Sequence, residues 1–418
     1  MSACSADVEE PPARDLRIAS GGLASRPSSV WTVDTANVGD SEHRSAFYLP
    51  SVPGDDAPIL VGAATGGYGV GDVGVVVAAL DPSSATQLWR ADLGVVRQCA
   101  ETIDDVVLAC YGDDRVVYLD VTNGSILGDL DPDPDFPVYH VRVAAGVAYV
   151  STRSADMFSA RLWSGTFTDP GRYWRRDAAT PVLGVPVSPA VLPDIGVATL
   201  YAQGTYSILD IDSGADRFTF SGESLMALRH DLFLQSIRNA DGSRTERLLD
   251  GVGSVRTTIE VPTYGHSFDY PVSKRDNEIP LFLGDGAYDS ETARELWRNP
   301  HMLEYEVSGA ITAVLAVVGN TVIVGSSTDR TLSGIDLETG VTRWVTPWQD
   351  AYWAKAGATD GEHYVFGDYT GMHGIRASDG VVLWSVPWPD GTDPRVVSVA
   401  ETAGVLSISG PDGVTLWH

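Results

Sequence analysis

Four aspartates, Asp129, Asp131, Asp133 and Asp135, alternate with Pro132, Pro134 and Pro137 in one short segment, and carboxylates spaced this closely could collect a hard cation. Calcium takes about six to eight oxygen ligands, and neither the spacing nor the glycine of an EF-hand loop is present. The segment therefore reads as an acidic loop stiffened by proline. The eight histidines include no HExxH pair. His363 and His373 fall on adjacent strands of the same unit and could approach, but two imidazoles without a third ligand do not make a zinc site. Ser188, Ser267 and Ser326 lack the GxSxG turn that presents a nucleophilic serine. Gly69, Gly71 and Gly74 spell a dinucleotide fingerprint, yet the β-rich run VVVAAL follows where a phosphate would need a helix N-terminus, so the string reads as a hairpin loop. On these residues alone no catalytic, metal or cofactor site is assigned.

The three cysteines carry other chemistry. Cys99 and Cys110 lie in two apolar runs on either side of Asp104-Asp105. A two-residue hairpin loop there pairs Ile103 with Val106 and sets Cys99 opposite Cys110, close enough for a disulfide. Such a bond belongs to an oxidising compartment. Cys4 stands in Met-Ser-Ala-Cys-Ser, where Ser-Ala-Cys resembles the end of a bacterial lipobox, whose cysteine takes a diacylglycerol; no basic or apolar leader precedes it. Lipidation of Cys4 is expected. Residues 1–28, rich in Pro, Gly, Ser and charge, are expected to form a flexible tether.

These residues need a scaffold, and the sequence repeats one. GIDLETGVTRW, ending at Trp344, returns as segments ending at Trp89, Trp297, Trp384 and Trp417, with weaker copies from Val117, Ile208 and Arg247. Each copy has the same logic. A strand runs into an aspartate such as Asp336, whose carboxylate can bind backbone N–H groups two or three residues on. Gly340 then takes a positive φ, and the chain returns as a strand carrying Trp344. The constant place of the tryptophan marks it as a packing residue between units, its N–H seeking a carbonyl. Repetition at roughly forty residues around β-rich runs predicts a β-propeller.

The motif resembles the pyrroloquinoline-quinone-type propeller repeat, with its Ala-x-Asp-x-x-Thr-Gly-x-x-x-Trp signature. Asp336, Thr339, Gly340 and Trp344 are in register with it, Gly334 standing for the alanine. Asp289, Thr292 and Trp297 match as well, with Ala293 for the glycine. The resemblance covers residue 30 to the end and implies an all-β ring of four-stranded antiparallel blades over residues 29–418. Turns near Asp81, Asp120, Asp169, Asp210, Asp250, Asp289, Asp336, Asp379 and Asp412 give nine candidate units. The units at Asp169 and Asp289 are irregular, and eight blades, the number that suits this repeat class, are expected, with seven or nine as alternatives. Residues 31–35 should complete the sheet that holds residues 406–417, because an open ring edge would otherwise remain. Quinoprotein dehydrogenases of this resemblance use an adjacent Cys-Cys pair, Ca2+ ligands and often a CxxCH haem site. The chain has neither cysteine motif, which implies the non-catalytic lipoprotein branch with no cofactor.

Long connections are where a propeller keeps its function. Residues 62–74 with Tyr68, 129–140 with Asp131, Asp133 and Asp135, 163–176 with Trp163, Tyr173 and Trp174, and 264–280 with Tyr264 and His266 are the candidate binding loops. The formal net charge of −28 excludes nucleic acid as a partner and points to a basic protein surface. No apolar run is long enough to cross a membrane as a helix, so membrane contact would come only through Cys4. The expected function is a bacterial, extracytoplasmic protein-binding scaffold or accessory subunit of a cell-envelope complex, secreted or lipid-anchored. The alternatives are an oxidoreductase using pyrroloquinoline quinone (PQQ) with Ca2+ or another metal in the axial funnel, and a carbohydrate or small-ligand binder.

Overall fold

The computed structural model describes residues 22–417 apart from breaks, the longer of them at 40–44, 53–56, 67–70, 180–187, 240–243, 262–278, 303–311, 350–356 and 389–396. Apolar runs such as Ile59–Ala64, Thr321–Ser326 and His363–Gly367 form strands that sit second in their sheets and are covered almost end to end. Fourth strands such as Thr342–Pro347 and Val382–Pro387 alternate instead between covered and exposed residues, as an outermost strand should. The one named helix among the described residues is a 3-10 turn at Pro300–Met302.

Among the described residues the strands form nine antiparallel sheets, eight of four strands and one of three. Nine was the upper alternative to the eight units expected. The two irregular segments each form a sheet. The unit at Asp169 needs no aspartate-glycine turn, because Ser159–Thr166 and Asp169–Ala179 pair directly around a two-residue connection. The unit at Asp289 is the three-stranded sheet, and the residues before its first described strand fall in 262–278.

Nine apolar clusters join each sheet to the next. The last two close the circuit. Val365, Met372 and Trp384 of the eighth sheet pack with Val399 and Leu406 of the ninth, and Val33 of the ninth packs with Ile59, Val61 and Leu80 of the first. Ser29–Asp34 pairs with Gly413–Trp417, so that an N-terminal strand completes the C-terminal sheet and closes the ring as expected.

The tryptophans show why the ring holds. The Trp344 ring lies over Gly334 on the neighbouring strand, where an added Cβ would stand 2.1 Å from the indole. Its Nε1–H donates to the Ala377 carbonyl of the next sheet at 2.8 Å. Trp89 donates to Val121 at 3.0 Å, Trp174 to Ile211 at 2.7 Å and Trp297 to Leu337 at 2.8 Å, each across one sheet boundary. The acceptor belongs to the residue that opens the next sheet's turn, and that turn's glycine covers the incoming indole. Gly340 has φ +71 and lies over Trp297, where a Cβ would meet the ring at 2.6 Å. Glycine is thus required twice, by its dihedral and by the indole above it. The turn aspartates act as the motif predicts: Asp336 Oδ1 accepts from the Thr339 N–H and hydroxyl, both at 2.8 Å.

Two tryptophans differ from the pattern: Trp417 packs against the cluster between the eighth and ninth sheets from another strand, and Trp174 is not in a loop. Trp417 lies on the third strand of the ninth sheet, one strand earlier than Trp344 in its own, because the N-terminus supplies the fourth. Its buried indole N–H has no hydrogen-bond partner among the described residues. Trp174 is a sheet-docking tryptophan rather than a loop residue, since the segment around it is a hairpin.

Cys99 and Cys110 are opposite one another and joined by a disulfide. The turn between them differs from expectation by one residue. Asp104 pairs with Val107 through bonds of 2.7 and 3.1 Å, where Ile103 was to pair with Val106.

Trp297→Ala is expected to cost about 3–5 kcal/mol, the range for truncating a buried aromatic, and Trp297→Phe distinctly less. Denaturant midpoints of the two variants and the parent measure the difference; a Phe variant with the parent's midpoint would show that the indole N–H contributes nothing. Paired Cys99→Ser and Cys110→Ser substitution should lower stability by about 2–3 kcal/mol, given the short loop closed. Dithiothreitol should lower the melting temperature of the parent protein but not of that variant.

Candidate functional site

The strand order sorts the connections onto two faces. Links between first and second strands and between third and fourth strands lie on one face. Most of these are tight, as at 145–146, 319–320 and 337–341, with 49–58 in the first sheet an exception. Second-to-third connections and the links from one sheet to the next begin and end on the other face. These include 65–72, 131–137, 180–187, 299–311, 348–357 and 388–397. Two of the four candidate segments, 62–74 and 129–140, touch this long-loop face; 163–176 is a hairpin that spans a sheet, and 264–278 lies outside the described residues.

The best-defined cluster on the long-loop face surrounds Asp368, in the turn between His363–Gly367 and Gly371–Arg376. Its Oδ1 accepts from the Thr370 N–H at 2.6 Å and hydroxyl at 2.7 Å, and pairs with His373 Nε2 at 3.0 Å. Its Oδ2 accepts the Trp348 indole N–H at 2.9 Å, and its backbone carbonyl accepts that of Trp388 at 2.7 Å. Trp348 and Trp388 follow the fourth strands of the seventh and eighth sheets at equivalent places, in VTPWQD and SVPWPD. One carboxylate thus ties two neighbouring sheets together. The Trp348 ring meets His373 edge-on at 4.9 Å and Phe366 at 5.2 Å.

His373 Nδ1 pairs in turn with the exposed Ser385 hydroxyl at 2.8 Å. Serine, histidine and aspartate are connected in the order of a nucleophilic relay. Here, however, the aspartate is engaged by an indole and a threonine as well, and the serine projects from the outermost strand. The arrangement fixes the position of Trp348 and the turn. None of Asp368, Trp348 and Ser385 was singled out from sequence; the repeated Pro-Trp pair was the available signal. His363 does not approach His373. Its Nδ1 pairs with Asp360 at 2.9 Å, at the opposite end of the sheet.

Burial alone would push the Asp368 carboxyl up, but hydrogen bonds from His373 and Thr370 outweigh it and hold the group down to about 2. A depressed carboxyl stabilises the fold above its ordinary value of 3.8, and that contribution is lost as pH falls through about 2. Asp368→Asn should therefore flatten the decline of stability between pH 4 and 2, measured by tryptophan fluorescence at fixed denaturant; an unchanged acid profile would exclude the pair as its source.

The acidic segment is folded on itself. Asp131 and Asp133 accept backbone N–H groups two residues on, from Asp133 and Asp135, each at 3.1 Å. Asp133 is buried and ion-paired with Arg161, whose guanidinium lies 4.1 Å from the centre of the Phe136 ring. Arg153 covers Tyr139 in the same way. Asp129 forms a two-pronged pair with Arg115, both contacts at 2.7 Å. The carboxylates are directed to arginines and backbone N–H groups rather than toward a common point.

Trp163 is in the core between the second and third sheets, not in a binding loop. Tyr173 is exposed on the outer strand of the third sheet. Tyr68, Tyr264, His266 and Cys4 lie outside the described residues. Among the described residues no group of three or more His, Cys, Asp or Glu side chains could hold a metal ion, and no helix is long and apolar enough to cross a membrane. PQQ chemistry of the dehydrogenase kind calls for adjacent cysteines and a Ca2+ ligand set. The sequence has no such cysteine pair, and Cys99 and Cys110 are bonded to each other.

Residues 286–387 match the family described as outer membrane protein assembly factor BamB. No curated protein matches the chain. Among solved structures, the chain is similar to the computationally designed Ika8 protein, at 14% identity and a TM-score of 0.48 over 90% of this chain and 98% of that one. It is also similar to BamB from Moraxella catarrhalis, at 16% identity and a TM-score of 0.45 over 94% and 98%. Neither likeness carries anything beyond that similarity. Residues 286–387 are thus similar in sequence to a PQQ-like propeller repeat, and they form part of an all-β arrangement of nine antiparallel sheets among the described residues.

Proposed function

We propose that the protein is a non-catalytic, extracytoplasmic propeller that binds other proteins, as a scaffold or accessory subunit of a bacterial cell-envelope complex. The observation that carries this reading is the division of the ring into a face of mostly tight turns and a face of long connections. The second carries Phe136, Tyr139, Trp348, Tyr369 and Trp388, with Tyr139 and Tyr369 exposed. Aromatic side chains fixed by guanidinium and carboxylate partners lose little freedom on binding, which suits a docking surface. The name of the family matched over residues 286–387 supports an assembly role in the envelope. The disulfide supports an oxidising compartment. A net charge of −28 favours a partner with a basic patch, and lipid at Cys4 would hold the ring at a membrane.

Photo-crosslinking from the native envelope tests the reading. A photoreactive residue at Tyr369 should capture a defined protein, and one at exposed Val341, in a tight turn on the opposite face, should not. Raising salt from about 50 to 300 mM should weaken capture several-fold, because exposed charges are screened over this range. Equal capture from both positions would overturn the assignment of the face. A stoichiometric absorbing species on addition of PQQ and Ca2+ would replace the scaffold with the oxidoreductase. Specific retention on a glycan surface would replace it with carbohydrate binding.

A further inference from the structure

The Trp384 indole also needs a carbonyl. The ninth sheet cannot offer one as the others do, because its third and fourth strands come from opposite ends of the chain and no turn joins them. The acceptor is Leu23, whose carbonyl receives the Trp384 Nε1–H at 2.9 Å. Leu23 reproduces the turn residue it replaces. Val121, Ile211, Leu337 and Ala377 are buried and accept a tryptophan from the preceding sheet; Leu23 is buried to the same degree, in a cluster with Trp384, Met372 and Leu406. Its N–H donates to Asp360 Oδ2 at 2.7 Å, in the tight turn of the eighth sheet. Gly22 precedes it with φ +67, a conformation that L side chains rarely adopt.

We propose that Gly22–Leu23 is a built-in peptide ligand for a slot between the eighth and ninth sheets, standing in for the missing turn and fixing the N-terminal tail to the tight-turn face. Trp384, Asp360 and the apolar cluster form the slot; a small residue followed by an aliphatic one is the chemistry it accepts. Gly22 and Leu23 then hold the chain on the face opposite Tyr369 and Trp388, and the long-loop face is left open for docking. The slot stands on its own geometry; only this last consequence rests on the scaffold reading.

Nitroxide labels test the placement without any partner. In a Cys4→Ser background, pairs are made from Ser20→Cys with either Ser378→Cys on the tight-turn face or Tyr369→Cys on the other. The first distance should be narrow and shorter by about 10–20 Å, since a strand of five or six residues separates the faces. Leu23→Asp should broaden both distributions. Asp360→Asn and Trp384→Phe, which keep the bulk of each side chain, should each speed thermolysin cleavage ahead of Leu23 by about tenfold, as expected for one lost hydrogen bond. A tail nearer to Tyr369, or distances and cleavage unmoved by all three substitutions, would overturn the slot. Loss of partner capture with these distances intact would count against the scaffold reading alone.

Discussion

An indole laid on a residue without bulk, with its N–H delivered to the next sheet, is the constraint on which this ring depends. An isolated four-stranded sheet here would expose two apolar faces, so each is stable only between neighbours. The tryptophan makes that stacking directional. Apolar contact alone tolerates sliding, whereas a hydrogen bond of 2.7 to 3.0 Å to one named carbonyl fixes height and rotation together. Conditions at Gly334 and Gly340 follow from the indole that covers each of them.

Where the tryptophan is absent, volume is conserved by exchange. In the second sheet Tyr118 on the third strand faces Gly128 on the fourth, the reverse of Gly334 facing Trp344. The Tyr118 ring fills the space and packs against Phe167 of the next sheet, with centroids 4.9 Å apart. Its hydroxyl is buried with no hydrogen-bond partner among the described residues, and burial pushes its pKa up. The phenol supplies the area that the indole supplies elsewhere and omits the directional bond. At the closing seam the economy is different again: Leu23 keeps both the area and the carbonyl, although it is remote in sequence from the sheet it serves.

The same repetition shapes the surface. Because turns between third and fourth strands receive an aromatic ring, an indole in most of the cases described, their length and residue types are constrained, and that face has little freedom to vary. Connections on the opposite face receive no such contact in most sheets and can lengthen. The Asp368 cluster is a local exception, where Trp348 and Trp388 converge on one turn and hold it. Rigidity on one face and length on the other allow a binding surface to change without disturbing the stacking.

The fold was legible in the sequence because its main determinants are local: an aspartate that closes a turn, a glycine with positive φ, and a tryptophan at fixed spacing all act within about a dozen residues. Closure by residues 29–34 was legible too, since an unpaired strand at each end leaves few other arrangements. The number of sheets was not, because the third sheet turns at Phe167-Thr168 without the motif, and strand pairing compensated for what the turn lacked. Loop residues were misjudged for the same reason. Trp163 and Trp174 occur among charged residues and look exposed, yet alternation places them in two different sheet boundaries. Only the tertiary structure brought Asp368 to Trp348 and Ser385, or Leu23 to Trp384, 361 residues away. Such partners meet because a ring returns to its start, and no pattern along the chain records that distance.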